Sequence, residues 1–355
     1  MDNKIRQLQG MRAAAILMIM LGHAGAFMPK LISLGLPLGA MGTSIFVLMS
    51  GFLIGQKVNG CNGENLLKDG FRLVKKKLIK IYPLHLITFL AIFIPWFGYA
   101  LDNIDQTKWF LNMMWKAVLN LLLLQSLALN ESTVFSVNGV SWFLSMYMIL
   151  MLLSPIIIFF TSKVSTLRKK LILFLVIFIA EVIFGGECQY SNYWRALTYT
   201  HPFIRLFDFT QGILLGQIFV EYKENVHMEI TKGTIIESIV LLIYILAIIF
   251  IKRLPYSLQY NAALVIESSL LLFVIALGGG MLSKLFSCKI LVFVGDISME
   301  IFLIHMVVIR KITNLEIDGN ILNMVLIITL TLIFSIAANK WFEPFVVKLL
   351  NKKES

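Results

Sequence analysis

Charge is scarce in this chain, and acidic charge is scarcer still. Of 355 residues only 14% are Asp, Glu, Lys or Arg, with 20 acidic side chains against 31 basic ones. Soluble domains carry about a quarter of their residues charged, so this composition does not describe one. Cysteine is nearly missing too: Cys61, Cys188 and Cys288 stand far apart with no CxxC pair, which argues against a disulfide framework, a zinc site or any resident metal. No internal repeat, low-complexity tract or long polar domain breaks the chain, and the longest connections are 57–80 and 101–140.

Apolar residues fill the space that charge leaves. They make up 58% of the chain, more than a single soluble core of this length can hide. Apolar runs near spanning length recur from end to end, which predicts an all-α polytopic membrane protein, a single integral membrane domain over 1–355 with no appended soluble domain. We place spans near 11–28, 40–56, 81–100, 141–161, 171–186, 203–221, 234–251, 260–280, 290–310 and 321–340. Ten crossings return both termini to one side. Lys4, Arg6 and Arg12 precede an apolar stretch ending in Ala24-Gly25-Ala26, the outline of a secretory signal, but equally apolar segments follow, so the stretch reads as the first transmembrane helix.

The net charge of +11 is a matter of topology. Lys75, Lys76, Lys77 and Lys80, then Lys163, Arg168, Lys169 and Lys170, sit in short clusters between apolar runs and do not interleave with an exposed aromatic face as in a nucleic-acid-binding surface. With both termini cytoplasmic, the loops 57–80, 162–170, 222–233 and 281–289 and the tail carrying Lys348, Lys352 and Lys353 hold more than twice the Lys and Arg left on the other side, as the positive-inside rule requires. Segment 110–129 is apolar but broken by Lys116, Asn120 and Gln125. Were it to span, the 162–170 cluster would face outward, so it reads as re-entrant or interfacial.

Ionisable groups inside spans are costly and mark function unless they pair or snorkel. Arg12 and His23 are eleven residues apart on the first helix. That is about three turns plus 20°, and about 16 Å of rise. They share a face at different depths. A fixed cation near the cytoplasmic surface holds phosphates, and an imidazole deep in the bundle accepts a proton near neutral pH. Snorkelling for Arg12 and a hydrogen-bonded core role for His23 are the bland alternatives.

A set of motifs follows in order: Arg12 with His23; Ser50-Gly51-Phe52-Leu53-Ile54; Lys80-Ile81-Tyr82-Pro83 after a basic loop; Ser141-Trp142-Phe143-Leu144-Ser145; Arg205-Leu206-Phe207-Asp208-Phe209 before Gly212; and Ile297-Ser298 leading into Ile301-Phe302-Leu303-Ile304-His305. Together they resemble the membrane acyltransferase 3 family over nearly the whole chain. The resemblance implies transfer of an acyl group, commonly acetyl from acetyl-CoA, to a hydroxyl of a surface or lipid-linked carbohydrate in a bacterial plasma membrane. Acyl-CoA is then a donor substrate, with no permanently bound cofactor and no nucleic acid partner. It makes His23 the catalytic histidine and Arg12 its motif partner, with Arg12, Lys77, Lys80 and Tyr82 toward the donor. Lys77 and Lys80 stand where the family often carries two arginines, and lysine lacks the bidentate fork.

Other candidates keep two readings each. Trp142, with Ser141 at the head of the fourth span, is an interfacial anchor or a sugar-stacking ring. Arg205 and Asp208, three apart, neutralise each other or belong to the active region, where the family more usually has Glu in place of Asp. Glu300 and His305 lie in the ninth span, where Glu300 orients a catalytic imidazole or pairs with a basic group. His85, His201 and His227 have no partner in sequence, and Glu343 matches a family feature near the last helix end. A transporter or flippase of a lipid-linked sugar or small anion is the competing class, although neither an inverted repeat nor matching broken helices is evident. A membrane scaffold would have no use for Arg12 and His23 on one face.

Overall fold

The computed structural model describes residues 5–27, 36–57, 63–102, 107–223, 229–315 and 320–351. Among them every regular element is helical. Cys61, His227, Lys352, Lys353 and the last residue of the first expected span lie outside the described residues.

The principal helices are α1 (Arg6–His23), α2 (Leu38–Gly55), α3 (Leu66–Asp102), α4 (Thr107–Leu121), α5 (Trp142–Ser162), α6 (Leu167–Cys188), α7 (Pro202–Tyr222), α8 (Ile230–Phe250), α9 (Val265–Leu277), α10 (Met281–Phe286), α11 (Lys289–Asp296), α12 (Ser298–Thr313), α13 (Asn320–Ala337) and α14 (Glu343–Asn351). Among the described residues seven helices are long and apolar enough to cross a bilayer, and α11 with α12, bent by 68°, make an eighth if counted as one span. The other two expected spans are helical but fall short for local reasons. Gln7, Gln9 and Arg12 dilute α1, and the helix near 260–280 is a short apolar run, Ala262–Leu277.

Segment 110–129 doubles back. Helix α4 returns along α3, with Trp109 against Trp96 and Tyr99 at one end and the Asn120 carbonyl 3.1 Å from His85 Nε2 at the other. The chain then turns and comes back beside α4, where Lys116 donates to Ser132 at 3.1 Å. The polar residues that spoil this segment as a span are its latches: Asn120 donates to Ser136 at 2.8 Å and Gln125 to Ser141 at 3.1 Å.

Helices α2, α5 and α7 are mostly buried, whereas α6 and α8 turn long apolar side chains outward. A helix exposing Leu171, Ile172, Leu175, Val176 and Ile179 on its outer face is solvated by lipid, not water. The centre is held by backbone contact. Gly51 and Gly55 on α2, and Gly212 and Gly216 on α7, form two Gly-x-x-x-Gly pairs. A Cβ at Gly51 would strike the Phe209 carbonyl, and one at Gly212 the Leu48 carbonyl. Without Cβ atoms the helices approach closely enough for dispersion to replace the hydrophobic effect, which is absent between helices in lipid. Helix α1 is seated likewise: Gly10 meets the backbone of Phe286, Gly295 that of Gln9, and Gly22 that of Gly39.

Two charges buried on the outer helices are neutralised locally. The Glu237 carboxylate on α8 accepts from the N–H groups of Gly280, Leu282 and Ser283 at the head of α10, and Lys170 pairs with Glu221. For the central contact the expected outcome is that Gly212→Val forces α2 and α7 apart and lowers stability by about 1–3 kcal/mol. Thermal unfolding of the purified protein in detergent measures it, with Gly186→Ala, whose Cβ meets open space, as the neutral control.

Candidate active site

His23 is the last residue of α1 and His305 lies within α12. Their rings meet, Nδ1 of His23 standing 3.0 Å from Nε2 of His305. His305 is fully buried, and its Nδ1 lies 3.1 Å from the carbonyl oxygen of Ile301. That carbonyl can only accept, so His305 carries its proton on Nδ1 and presents a lone pair at Nε2. His23 must then donate from Nδ1. The ring nitrogen of His23 that keeps a free lone pair is Nε2, and a nitrogen so placed can act as base or nucleophile.

His23 lines a cavity of about 390 Å³. Trp142, Tyr199 and Tyr260 form its aromatic wall; Arg310 lines it as well, as does Arg195, which pairs with Glu131 at 3.2 Å. Trp142 and Tyr199 have centroids 4.7 Å apart, Tyr199 and Tyr260 5.3 Å. Trp142 is only 3% exposed, so the interfacial-anchor reading is corrected: the ring belongs to the cavity. Aromatic faces beside charged donors suit a flat ligand edged with hydroxyl groups.

Arg205 and Asp208 do pair, at 2.6 Å and with no exposure. Arg205 does more than neutralise. Its Nε donates to the Tyr199 carbonyl at 2.8 Å, Nη1 to Ser44 at 3.0 Å, and Nη2 to the Tyr260 carbonyl at 2.7 Å. The guanidinium thus fixes the backbones that carry two rings of the cavity wall. Tyr199 sits in a π-helical turn, Ala196–Thr200, whose widened ladder leaves carbonyls in need of such donors.

At the other end of α1, Arg12 donates to Gln9 at 3.3 Å, while its buried Nε has no partner. Tyr147 and Asp296 are its electrostatic neighbours. Lys77 sits 5.8 Å from the centroid of the same Tyr147 ring, which puts Arg12 and Lys77 around one side chain. Lys80 is exposed and 3.7 Å from Glu343.

The remaining candidates are engaged elsewhere. Tyr82 donates to the Leu121 carbonyl at 3.0 Å, holding α4. Ser50 donates to the Phe46 carbonyl of its own helix at 2.7 Å. Ser141 is fully buried, bonded to Asn120, Gln125 and the Asn138 carbonyl, so it braces the doubled-back segment. Glu300 does not orient an imidazole: it accepts from Asn339 at 2.6 Å, and the partner of His23 is His305. His85 donates to the Asn120 carbonyl, and His201 caps α7 by accepting from the Phe203 N–H.

Sequence reasoning missed Arg195, Tyr199, Tyr260 and Arg310. A signal for two of them was present. In the orientation expected from the basic loops, Arg195 and Arg310 are cations on the side that the positive-inside rule leaves poor in them, and such exceptions call for a local reason.

Comparison with known proteins agrees with the motif order. A family model described as an acyltransferase domain matches residues 5–340. No curated protein and no solved structure matches.

Arg205→Met leaves Asp208 as an uncompensated buried charge, and we expect a loss of about 3–5 kcal/mol. Arg205→Met with Asp208→Leu should recover part of it, as read by unfolding in detergent.

Proposed function

The chain belongs to the acyltransferase 3 family and is a membrane acyltransferase; on that premise we propose that it moves an acyl group, acetyl in the simplest case, from acyl-CoA to a hydroxyl of a surface or lipid-linked carbohydrate. The whole chain acts as one catalytic domain in a bacterial plasma membrane. The observation that carries this reading is the His23–His305 pair, 3.0 Å apart, on a cavity walled by Trp142, Tyr199 and Tyr260.

Acyl-CoA approaches from the cytoplasmic side, where Arg12, Lys77 and Lys80 meet its phosphates. The unpartnered Nε of Arg12 supports this placement, because a buried N–H without an acceptor costs about 1–3 kcal/mol that a phosphate oxygen would restore. The pantetheine arm carries the thioester along the roughly 16 Å that separate Arg12 from His23.

The acceptor hydroxyl lies against His23 with its sugar ring on the aromatic wall. His23 Nε2 takes the hydroxyl proton as the oxygen attacks the thioester carbonyl. The C–O bond forms, the C–S bond breaks, and the proton passes from His23 to the departing CoA thiolate. His305 accepts from Nδ1 throughout and steadies the imidazolium, the part a carboxylate plays in a serine hydrolase triad. Arg195, on the wall of the same cavity, is the cation nearest to hand for the negative charge that gathers on the carbonyl oxygen.

Thiol release from acetyl-CoA by the purified chain, with candidate glycans present, tests the assignment. His23→Ala should lower turnover by about 10²–10⁴-fold while the protein still inserts and accumulates. His305→Leu should lower kcat with little change in KM for acetyl-CoA, and His305→Gln, whose amide oxygen can take the same N–H, should retain more activity. Undiminished acetylation by well-expressed His23→Ala would rule the role out.

A further inference from the structure

A second cavity adjoins the one at His23, and a third adjoins the second. The second, of about 370 Å³, is lined by Lys116, Arg310 and Lys311, together with Ser132, Ser136 and Asn314. It shares Phe135 and Arg310 with the His23 cavity. No carboxylate lines it, and among the described residues none of its three cations pairs with one. Three cations gathered with no carboxylate among them repel one another, and an anion seated between them relieves that repulsion. Its wall is also strained: Val137, β-branched, holds φ at 55°, a conformation such residues rarely adopt, while the neighbouring Asn138 is tied to the Leu303 carbonyl at 3.0 Å.

The third is an apolar groove of about 800 Å³ that opens between α3, α12 and α13, with Leu84, Ile87, Val308, Leu330 and Phe334 among its walls. It shares Ala91, Val307 and Lys311 with the cationic cavity. A second π-helical turn, Ala338–Phe342, lays Ala338, Trp341 and Phe342 along its far end. The three spaces therefore run hydrocarbon, cation, aromatic, with the reacting histidine last.

We infer that the acceptor sugar is carried on a lipid phosphate or diphosphate: its hydrocarbon chain lies in the groove, its phosphate meets Lys116, Arg310 and Lys311, and its first sugars reach His23. The inference rests on the acyl-transfer reading above and names the form in which the acceptor arrives. A free polysaccharide would use neither the groove nor the cations. An ordinary phospholipid would fill both but place no sugar at His23.

The test is binding of a long-chain polyprenyl phosphate to the full chain in phosphatidylcholine nanodiscs, compared with the uncharged polyprenol and with phosphatidylglycerol. We expect the polyprenyl phosphate to bind at least about tenfold tighter than the polyprenol, as charge-assisted hydrogen bonds warrant. Lys311→Gln, at an exposed position, and Lys116→Gln, whose amide still offers Ser132 a donor, should together remove most of that difference, and Ala337→Phe, which fills the groove, should weaken binding independently. Equal binding of polyprenol and polyprenyl phosphate, indifference to the lysine substitutions, or equal competition by phosphatidylglycerol would overturn the inference. Binding is read with no acyl donor present, so its failure is separate from any failure of His23-dependent thiol release.

Discussion

The hydrogen bond between His23 and His305 joins residues 282 positions apart, and its geometry makes demands on both helices. The acceptor nitrogen of His305 is defined by the Ile301 carbonyl one helical turn back. The donor must arrive from the end of α1, where a slip of one residue would turn the ring away by about 100°. Glycines prevent the slip. Gly10, Gly22 and Gly295 bring α1 into backbone contact with its neighbours at both ends, so the helix has little freedom to slide or rotate.

The cavity beside the histidines depends on a second constraint. Arg205 has no exposure, and a guanidinium at that depth is tolerable only when its donors are used. They are spent on Asp208, Ser44 and the carbonyls of Tyr199 and Tyr260. A charge that would otherwise be a liability holds the π-helical turn in shape and with it the aromatic wall. The same economy governs the doubled-back segment, where Asn120 and Gln125 each bond to Ser141 inside the bundle.

Much of this was legible in the sequence because the bilayer imposes simple rules. Spanning lengths, the basic loops and the polar interruption at 110–129 located the helices, although α1 is too polar and the helix before α10 too short to pass as spans on length and apolarity alone. Arg12, His23 and His305 stood out as ionisable groups within apolar runs. Their pairing did not, since nothing local links position 23 to position 305. Glu300 seemed the better orienting group by residue type, yet its own helix face carries it to Asn339. Trp142 resembled an anchor because sequence shows which end of a span a ring occupies, not what covers it. Tyr199 and Tyr260 were invisible because their placement is set through backbone carbonyls.

The claim on which the rest turns is the proton arrangement of the histidine pair. Nitrogen NMR of the protein labelled at its five histidines, with signals assigned through the His23→Ala and His305→Gln variants, reports which ring nitrogen carries hydrogen. The account predicts Nδ1–H on both rings, leaving an unprotonated Nε2 on His23. Finding the proton of His23 on Nε2 would remove the free lone pair from the cavity and contradict it.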